Sequence, residues 1–174
     1  MSTPIEWREQ AISRDHDRAS FDCGVESLNL YLLRYARQNH LAGGAKTFVA
    51  EATDNPARVL AFYSISPGEL EFSSVPNPVT RGLGHYNVPV FRLGRLAVDK
   101  SMQGQGIGSA LLAVAAERAL RVREEAGGVA LAIDAIDVRA AEWYQRHGAL
   151  RLVDDPLKLV LPLATIARAE RLGR

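Results

Sequence analysis

Hydrophobic positions along this chain recur at two spacings, every second residue and every third to fourth, and the switches between them lay out its elements. Residues 5–12 read as a first strand. Phe21-Asp22-Cys23-Gly24 then punctuates the chain, and a helix is expected from about Val25 to His40. Leu28, Tyr31, Leu32 and Tyr35 supply its buried stripe at i, i+3, i+4 and i+7, and Gly43-Gly44 ends it. Thr47 to Ala52 and Val59 to Ser66 read as strands joined by a turn around Asp54-Asn55-Pro56. Residues 67–89 are rich in Pro, Gly, Ser and Asn and read as a surface excursion with a short strand near Leu70 to Ser73. Val90 to Val98 is a strand leading into a glycine-rich turn, followed by a helix from about Ser109 to Ala126. Beyond the Gly127-Gly128 break come a strand (Val129 to Ile133), a short helix (Val138 to Gln145) and a last strand (Leu157 to Pro162). Antiparallel hairpins followed by strands alternating with amphipathic helices describe an α+β sheet with helices on its faces.

Composition narrows the class. At 174 residues with no linker, repeat or low-complexity run, the chain is expected to form one domain, residues 1–174. The hydrophobic fraction of 47% and charged fraction of 24% are those of an ordinary soluble globular protein. One cysteine, Cys23, leaves no internal disulfide framework and fits a reducing cytoplasm. The opening Met1-Ser2-Thr3-Pro4-Ile5-Glu6 has no basic segment followed by an apolar one, so no secretory leader is expected. No apolar run approaches the ~18 residues of a membrane span. A net charge of +1 does not suit a protein that coats nucleic acid by bulk electrostatics, though a local basic face remains open.

The chemistry concentrates in Leu96-Ala97-Val98 and the turn Gln103-Gly104-Gln105-Gly106-Ile107-Gly108-Ser109. Glycines at alternate positions strip Cβ atoms from a tight bend, so several main-chain N–H groups can point into one concavity. The positive end of the following helix adds to that field, which suits a phosphate or pyrophosphate. Counted from Gly104, the third glycine of a dinucleotide fingerprint falls on Ser109, and no Lys follows any of these glycines as a nucleoside-triphosphate loop requires.

Gln103-x-x-Gly106-x-Gly108 resembles the Q/R-x-x-G-x-G/A loop with which GNAT acetyltransferases hold acetyl-coenzyme A. Residues 131–148, a strand, a polar turn and then Ala140-x-x-Trp143-Tyr144-x-x-x-Gly148, are similar to the closing segment of the same superfamily. The resemblance implies the GNAT fold: a mixed, mostly antiparallel sheet flanked by helices, with a splayed parallel strand pair holding acetyl-CoA. It implies binding of that acetyl donor through Leu96, Ala97, Val98 and residues 103–109, with no metal. Tyr144 matches the family's catalytic tyrosine, and a phenol with pKa near ~10 is protonated at neutral pH and can donate to a departing thiolate. A backbone N–H near Ala97 or Val98 is expected to polarise the carbonyl. Glu51, Asp99 and Asp134 read equally well as structural, and none stands out as general base. An α-amino group, with pKa near ~7.7–8.0, has a usable neutral fraction without one.

A further set of signatures is similar to the acetyltransferase toxins of bacterial toxin–antitoxin pairs. Phe21-x-Cys23-Gly24-x-x-x-Leu28-Asn29-x-Tyr31-Leu32, Tyr35-Ala36-Arg37-Gln38-Asn39, Thr47-Phe48-Val49-Ala50, Arg95-Leu96-Ala97-Val98 and Trp143-Tyr144 follow that family's order. This implies acetylation of the α-amino group of aminoacyl-tRNA, arrest of translation, a ribbon-helix-helix antitoxin, a homodimer and a cytoplasmic site of action. A polyanionic substrate needs a basic surface, for which Arg34, Arg37, Lys46, Arg81, Arg92 and Arg95 are the candidates. Two departures stand out: Ala149-Leu150 follows Gly148 where the family has Phe, and Asp137 stands where many members carry Asn. The rival readings are a GNAT enzyme acting on a small amine or a protein N-terminus, and a protein that keeps the coenzyme pocket without its chemistry.

Overall fold

The computed structural model describes residues 3–172; residues 1–2 and 173–174, at the two ends of the expected domain, lie outside. By spatial proximity the chain divides into two compact units, one of Met1–Ile65 with Arg95–Leu112 and the other of Ser66–Gly94 with Ala113–Arg174. No linker marks the divide, which falls inside a strand or helix at each crossing.

The first unit opens with β1 (Trp7–Ala11), followed by helices α1 (Glu26–Arg34) and α2 (Ala36–Ala42). The single helix expected from Val25 to His40 is thus two, broken at Tyr35, whose φ of −117° leaves the helical range. The break admits Ala36 to the core and leaves Tyr35 about half exposed, so the buried stripe reduces to Tyr31 and Leu32, with Leu28 packed against them. Gly43 ends α2 in the left-handed conformation that glycine adopts without steric cost. Strand β2 (Lys46–Ala52) pairs antiparallel with β1 and with β3 (Asn55–Leu70). Phe21, Tyr31, Leu32, Val49, Phe62 and Ala97 belong to one core, in which Phe21 meets Phe62 edge to face at 5.4 Å.

Strand β3 runs through Pro67-Gly68, a dipeptide that signals a loop in the sequence. A Cβ at Gly68 would stand 2.9 Å from Nε of Arg92, so the glycine gives that side chain room to lie across the strand. The excursion therefore shrinks to residues 71–87, and it holds a short helix, α3 (Asn77–Thr80). Nor is it wholly a surface feature, because Val75 and Val79 are buried in the core of the second unit. Strand β4 (Val88–Val98) leads to the glycine turn and to α4 (Ile107–Ala126), which starts two residues before Ser109. Then follow β5 (Ala130–Asp134), α5 (Val138–Arg146), β6 (Leu150–Arg151), β7 (Lys158–Pro162) and α6 (Leu163–Leu172), the last a helix the sequence reading did not foresee.

Strand order is β1-β2-β3-β4 in the first unit and β3-β4-β5-β7-β6 in the second. Pairing of β4 with β5 is parallel, while β5 with β7 and β6 with β7 are antiparallel. This is the expected mixed, mostly antiparallel sheet. The parallel register ends at Leu93 opposite Ile133, although β4 continues to Val98. From Ala130 to Ile133 every residue of β5 is buried, as a strand covered on both faces requires.

Candidate active site

In the first unit, Leu96-Ala97-Val98 ends β4 with Ala97 in the core. Asp99 then accepts a hydrogen bond from the Ser101 N–H (3.0 Å) and caps a single tight turn, Lys100–Met102, whose Met102 is buried as an anchor. The bend beyond it relies on two glycines, Gly104 (φ 78°) and Gly106 (φ 84°). Any other residue would be strained at either position. A Cβ at Gly104 or Gly106 would meet nothing within 4 Å, so the bend presents bare backbone to open space. Gly108, inside α4, has no such conformational need.

Between Ala110 N–H and Gly106 O there is a 3.1 Å bond that begins the helical ladder. The N–H groups of Ile107 and Gly108 precede it and, by helix geometry, have no acceptor within α4. Bare backbone, forward N–H groups and the dipole of a 20-residue helix together give the bend the character that suits an anion. The glutamines do different work: Gln103 Nε2 donates to Cys23 O (3.0 Å) and Val98 O (2.9 Å), and Gln105 Nε2 donates to Ser101 O (3.3 Å). Their amide nitrogens hold the loop together, so what the loop offers an anion is its main chain.

In the second unit, α5 is capped by Asp137, whose carboxylate accepts the Ala140 N–H at 2.8 Å. That role is one the asparagine expected from the resemblance would fill equally well. Tyr144 lies on the buried face of α5 with 9% of its surface exposed. Burial pushes its phenol well above the ordinary value, which keeps the proton on Oη throughout the physiological range. Trp143, half buried, meets the Tyr144 ring edge-on at 5.0 Å and lies 4.1 Å from the His147 ring. Gly148 is left-handed (φ 97°), and Ala149 behind it is buried where the family pattern has an aromatic. Glu51, a base candidate, is spent on His16 (2.7 Å) and Arg8 (2.6 Å). Cys23 is buried, and burial pushes its thiol up, as expected of a small core residue and not of a nucleophile.

The basic candidates separate. Arg34 and Arg37 line one cavity of about 540 Å³ together with Gln38, Leu41, Ala42 and Arg18. Arg18 escaped the sequence reading because it lies outside α1 and α2, at no telling spacing from either residue. Its Nη1 donates to Leu33 O (3.1 Å), while its buried Nε has no hydrogen-bond partner among the described residues. Arg95 stacks its guanidinium on Tyr31, 3.6 Å from the ring centroid. Arg81 is exposed. Lys46 instead donates from Nζ to His40 O (2.9 Å) near the C-terminus of α2, and Arg92 pairs with Asp134 at 3.6 Å across the parallel strands. Among the described residues no cluster of His, Cys, Asp and Glu is placed to hold a metal ion, and no helix is long and apolar enough to cross a membrane.

The chain is 36% identical over 150 residues to the tRNA-acetylating toxin of Mycobacterium tuberculosis (strain ATCC 25618 / H37Rv), covering 86% of this chain and 88% of that protein. A structure of AtaT complexed with acetyl-methionyl-tRNAfMet superposes with a TM-score of 0.88 at 26% identity, over 95% of this chain and 99% of that one. A tyrosine-to-phenylalanine variant of the AtaT toxin, bound to acetyl-CoA and the C-terminus of the antitoxin AtaR, gives 0.81 at 26% identity over 94% and 98%. The acetyltransferase (GNAT) domain model matches residues 43–148, a span that takes in the glycine turn and Tyr144, and the chain belongs to the GNAT acetyltransferase family.

Proposed function

We propose that residues 1–174 form one N-acetyltransferase domain that moves the acetyl group of acetyl-CoA onto the α-amino group of an aminoacyl-tRNA. The result is a blocked amino acid that cannot enter translation, the action of a toxin. The observation that carries the donor half of this reading is the bend at Gly104 and Gly106, left-handed bare backbone open to solvent ahead of α4. Acceptor choice is supported by the tRNA-acetylating relative and the tRNA-bound AtaT structure.

As substrate, acetyl-CoA supplies an activated thioester. Residues 104–109 take its diphosphate through main-chain N–H groups, and Leu96, Ala97 and Val98 hold the acyl arm along the strand end, where an N–H polarises the carbonyl oxygen. As the amine nitrogen forms its bond to the acyl carbon and the C–S bond breaks, the Tyr144 hydroxyl gives its proton to the leaving sulfur. The amine enters neutral, having shed its ammonium proton to solvent; the further proton that nitrogen releases as the amide forms restores the Tyr144 hydroxyl, so no other side-chain base is required.

On the substrate side, Arg18, Arg34 and Arg37 contact tRNA phosphates from their shared cavity, with Arg95 and Arg81 as further cations; Lys46 and Arg92, held by His40 and Asp134, contribute only by exchanging those bonds. A homodimer, neutralisation by a ribbon-helix-helix antitoxin and action in the cytoplasm complete the proposal; antitoxin contact is supported by the AtaT–AtaR structure. The test is incubation with labelled acetyl-CoA and a panel of charged tRNA, deacylated tRNA, spermidine and a peptide with a free N-terminus. Label confined to the aminoacyl group is the expected result. Label on spermidine or peptide with none on charged tRNA refutes the acceptor assignment.

A further inference from the structure

The Phe21–Asn29 segment touches the glycine turn through a chain of hydrogen bonds within the first unit. Gln103 Nε2 spends both of its protons on main-chain oxygens, Cys23 O at 3.0 Å and Val98 O at 2.9 Å. The N–H of the same residue, Cys23, donates to Asn29 Oδ1 at 2.9 Å. Asn29 Nδ2 donates in turn to Asp22 Oδ1 at 2.9 Å, which also accepts the Gly24 N–H at 2.9 Å. Asp22 is tied back to the start of the turn by three contacts: its N–H to Asp99 Oδ2 (3.0 Å), its carbonyl to Lys100 N–H (2.8 Å) and its carboxylate to Lys100 Nζ (3.3 Å). Gly24 is left-handed, and a Cβ there would stand 3.2 Å from Cε of Lys100, so the segment lies directly against the turn.

We propose that Asp22, Asn29 and Gln103 are positioning residues that hold the bend at 103–108 and the strand end at Val98 in one fixed relation, so that its N–H groups are set before acetyl-CoA arrives. This rests on the reading that the bend takes the acetyl donor. Burial of Phe21 and Cys23 already anchors the segment to the core, so its attachment does not need the polar chain. The polar chain ends instead on Val98, Asp99 and Lys100 at the root of a bend with two left-handed glycines. Such a bend is free to adopt many conformations unless it is pinned, and donors fixed in advance bind an anion without first losing that freedom. It also explains why glutamine serves at position 103: its amide carries two protons on one nitrogen, which is what two carbonyl oxygens on either side demand.

The test compares wild type with Asn29→Ala, Gln103→Met and Gln103→Glu. Titration calorimetry with acetyl-CoA is expected to show Kd raised about tenfold for Asn29→Ala and Gln103→Met. Gln103→Glu should be weaker still, since it sets a carboxylate against two carbonyl oxygens. Turnover at saturating donor should fall far less than affinity, the split expected of groups that position without reacting. Amide hydrogen exchange on the donor-free proteins is expected to be faster at residues 104–108 in all three variants, with protection of the β2 and β3 amides unchanged. Unchanged exchange at 104–108 overturns the proposal, whatever the affinity. If wild type itself failed to bind acetyl-CoA, the reading of the turn would fall, while the exchange measurement would still decide whether the brace exists.

Discussion

Around the turn at 99–108, Asp99, Gln103 and Gln105 all hydrogen-bond to main chain, and bare backbone faces open space at Gly104 and Gly106. On α5 the order is reversed: the functional side chain, Tyr144, is the buried one, set among Trp143 and the core. A site for a charged group needs oriented dipoles whose positions are settled beforehand, which a polar network supplies. A phenol holds its proton at neutral pH even in water, and burial of Tyr144 pushes its pKa further up. Polar bracing and apolar burial are thus divided between the two units, and each can be broken separately.

Removing only the proton tests the second side. Tyr144→Phe keeps the ring and its packing, so kcat should fall by roughly 10²- to 10⁴-fold while the acetyl-CoA Kd stays within about twofold. Single-turnover kinetics with calorimetry check both halves, and full activity in the variant would end the general-acid assignment. Next in size is the first side. Gly106→Val forces a β-branched residue into a left-handed backbone and covers the bare main chain, and should raise the acetyl-CoA Kd between about tenfold and a hundredfold.

Smaller still, Arg37→Ala should weaken charged-tRNA binding several-fold and lower the slope of log K against log salt by about one, leaving donor affinity alone. Asp137→Ala, removing the α5 cap, is expected to destabilise by about 1 kcal/mol in urea unfolding. The least effect is on acid stability. Burial pushes the Glu51 carboxyl up, but hydrogen bonds from His16 and Arg8 outweigh this and hold it below its usual 4.5. A folded pKa below the unfolded one means stabilisation that is present above about pH 4.5 and lost as pH falls through the folded value. Glu51→Gln should therefore flatten the fall in urea midpoint between about pH 5 and pH 3.

Elements with strong local signatures were legible from the chain. The Ala- and Leu-rich run of α4, the unbroken apolar β5 and the glycines at 104 and 106 state their conformations in a few residues. What stayed hidden depends on neighbours distant in sequence. The Tyr35 break goes with seating Ala36 in the core, and Gly68 lies under the Arg92 side chain from another strand. Two predicted contacts shifted role for the same reason: Gln103 is consumed by Cys23, 80 residues away, and Lys46 by the end of α2. Arg18 joins Arg34 and Arg37 only once the chain has folded.

Backbone amide resonances of Gly104, Gln105, Gly106, Ile107 and Gly108, followed during titration with coenzyme A, test the central claim most directly. The account predicts that these amides shift together and saturate at the Kd found by calorimetry. Coenzyme binding that leaves all five unmoved would contradict it.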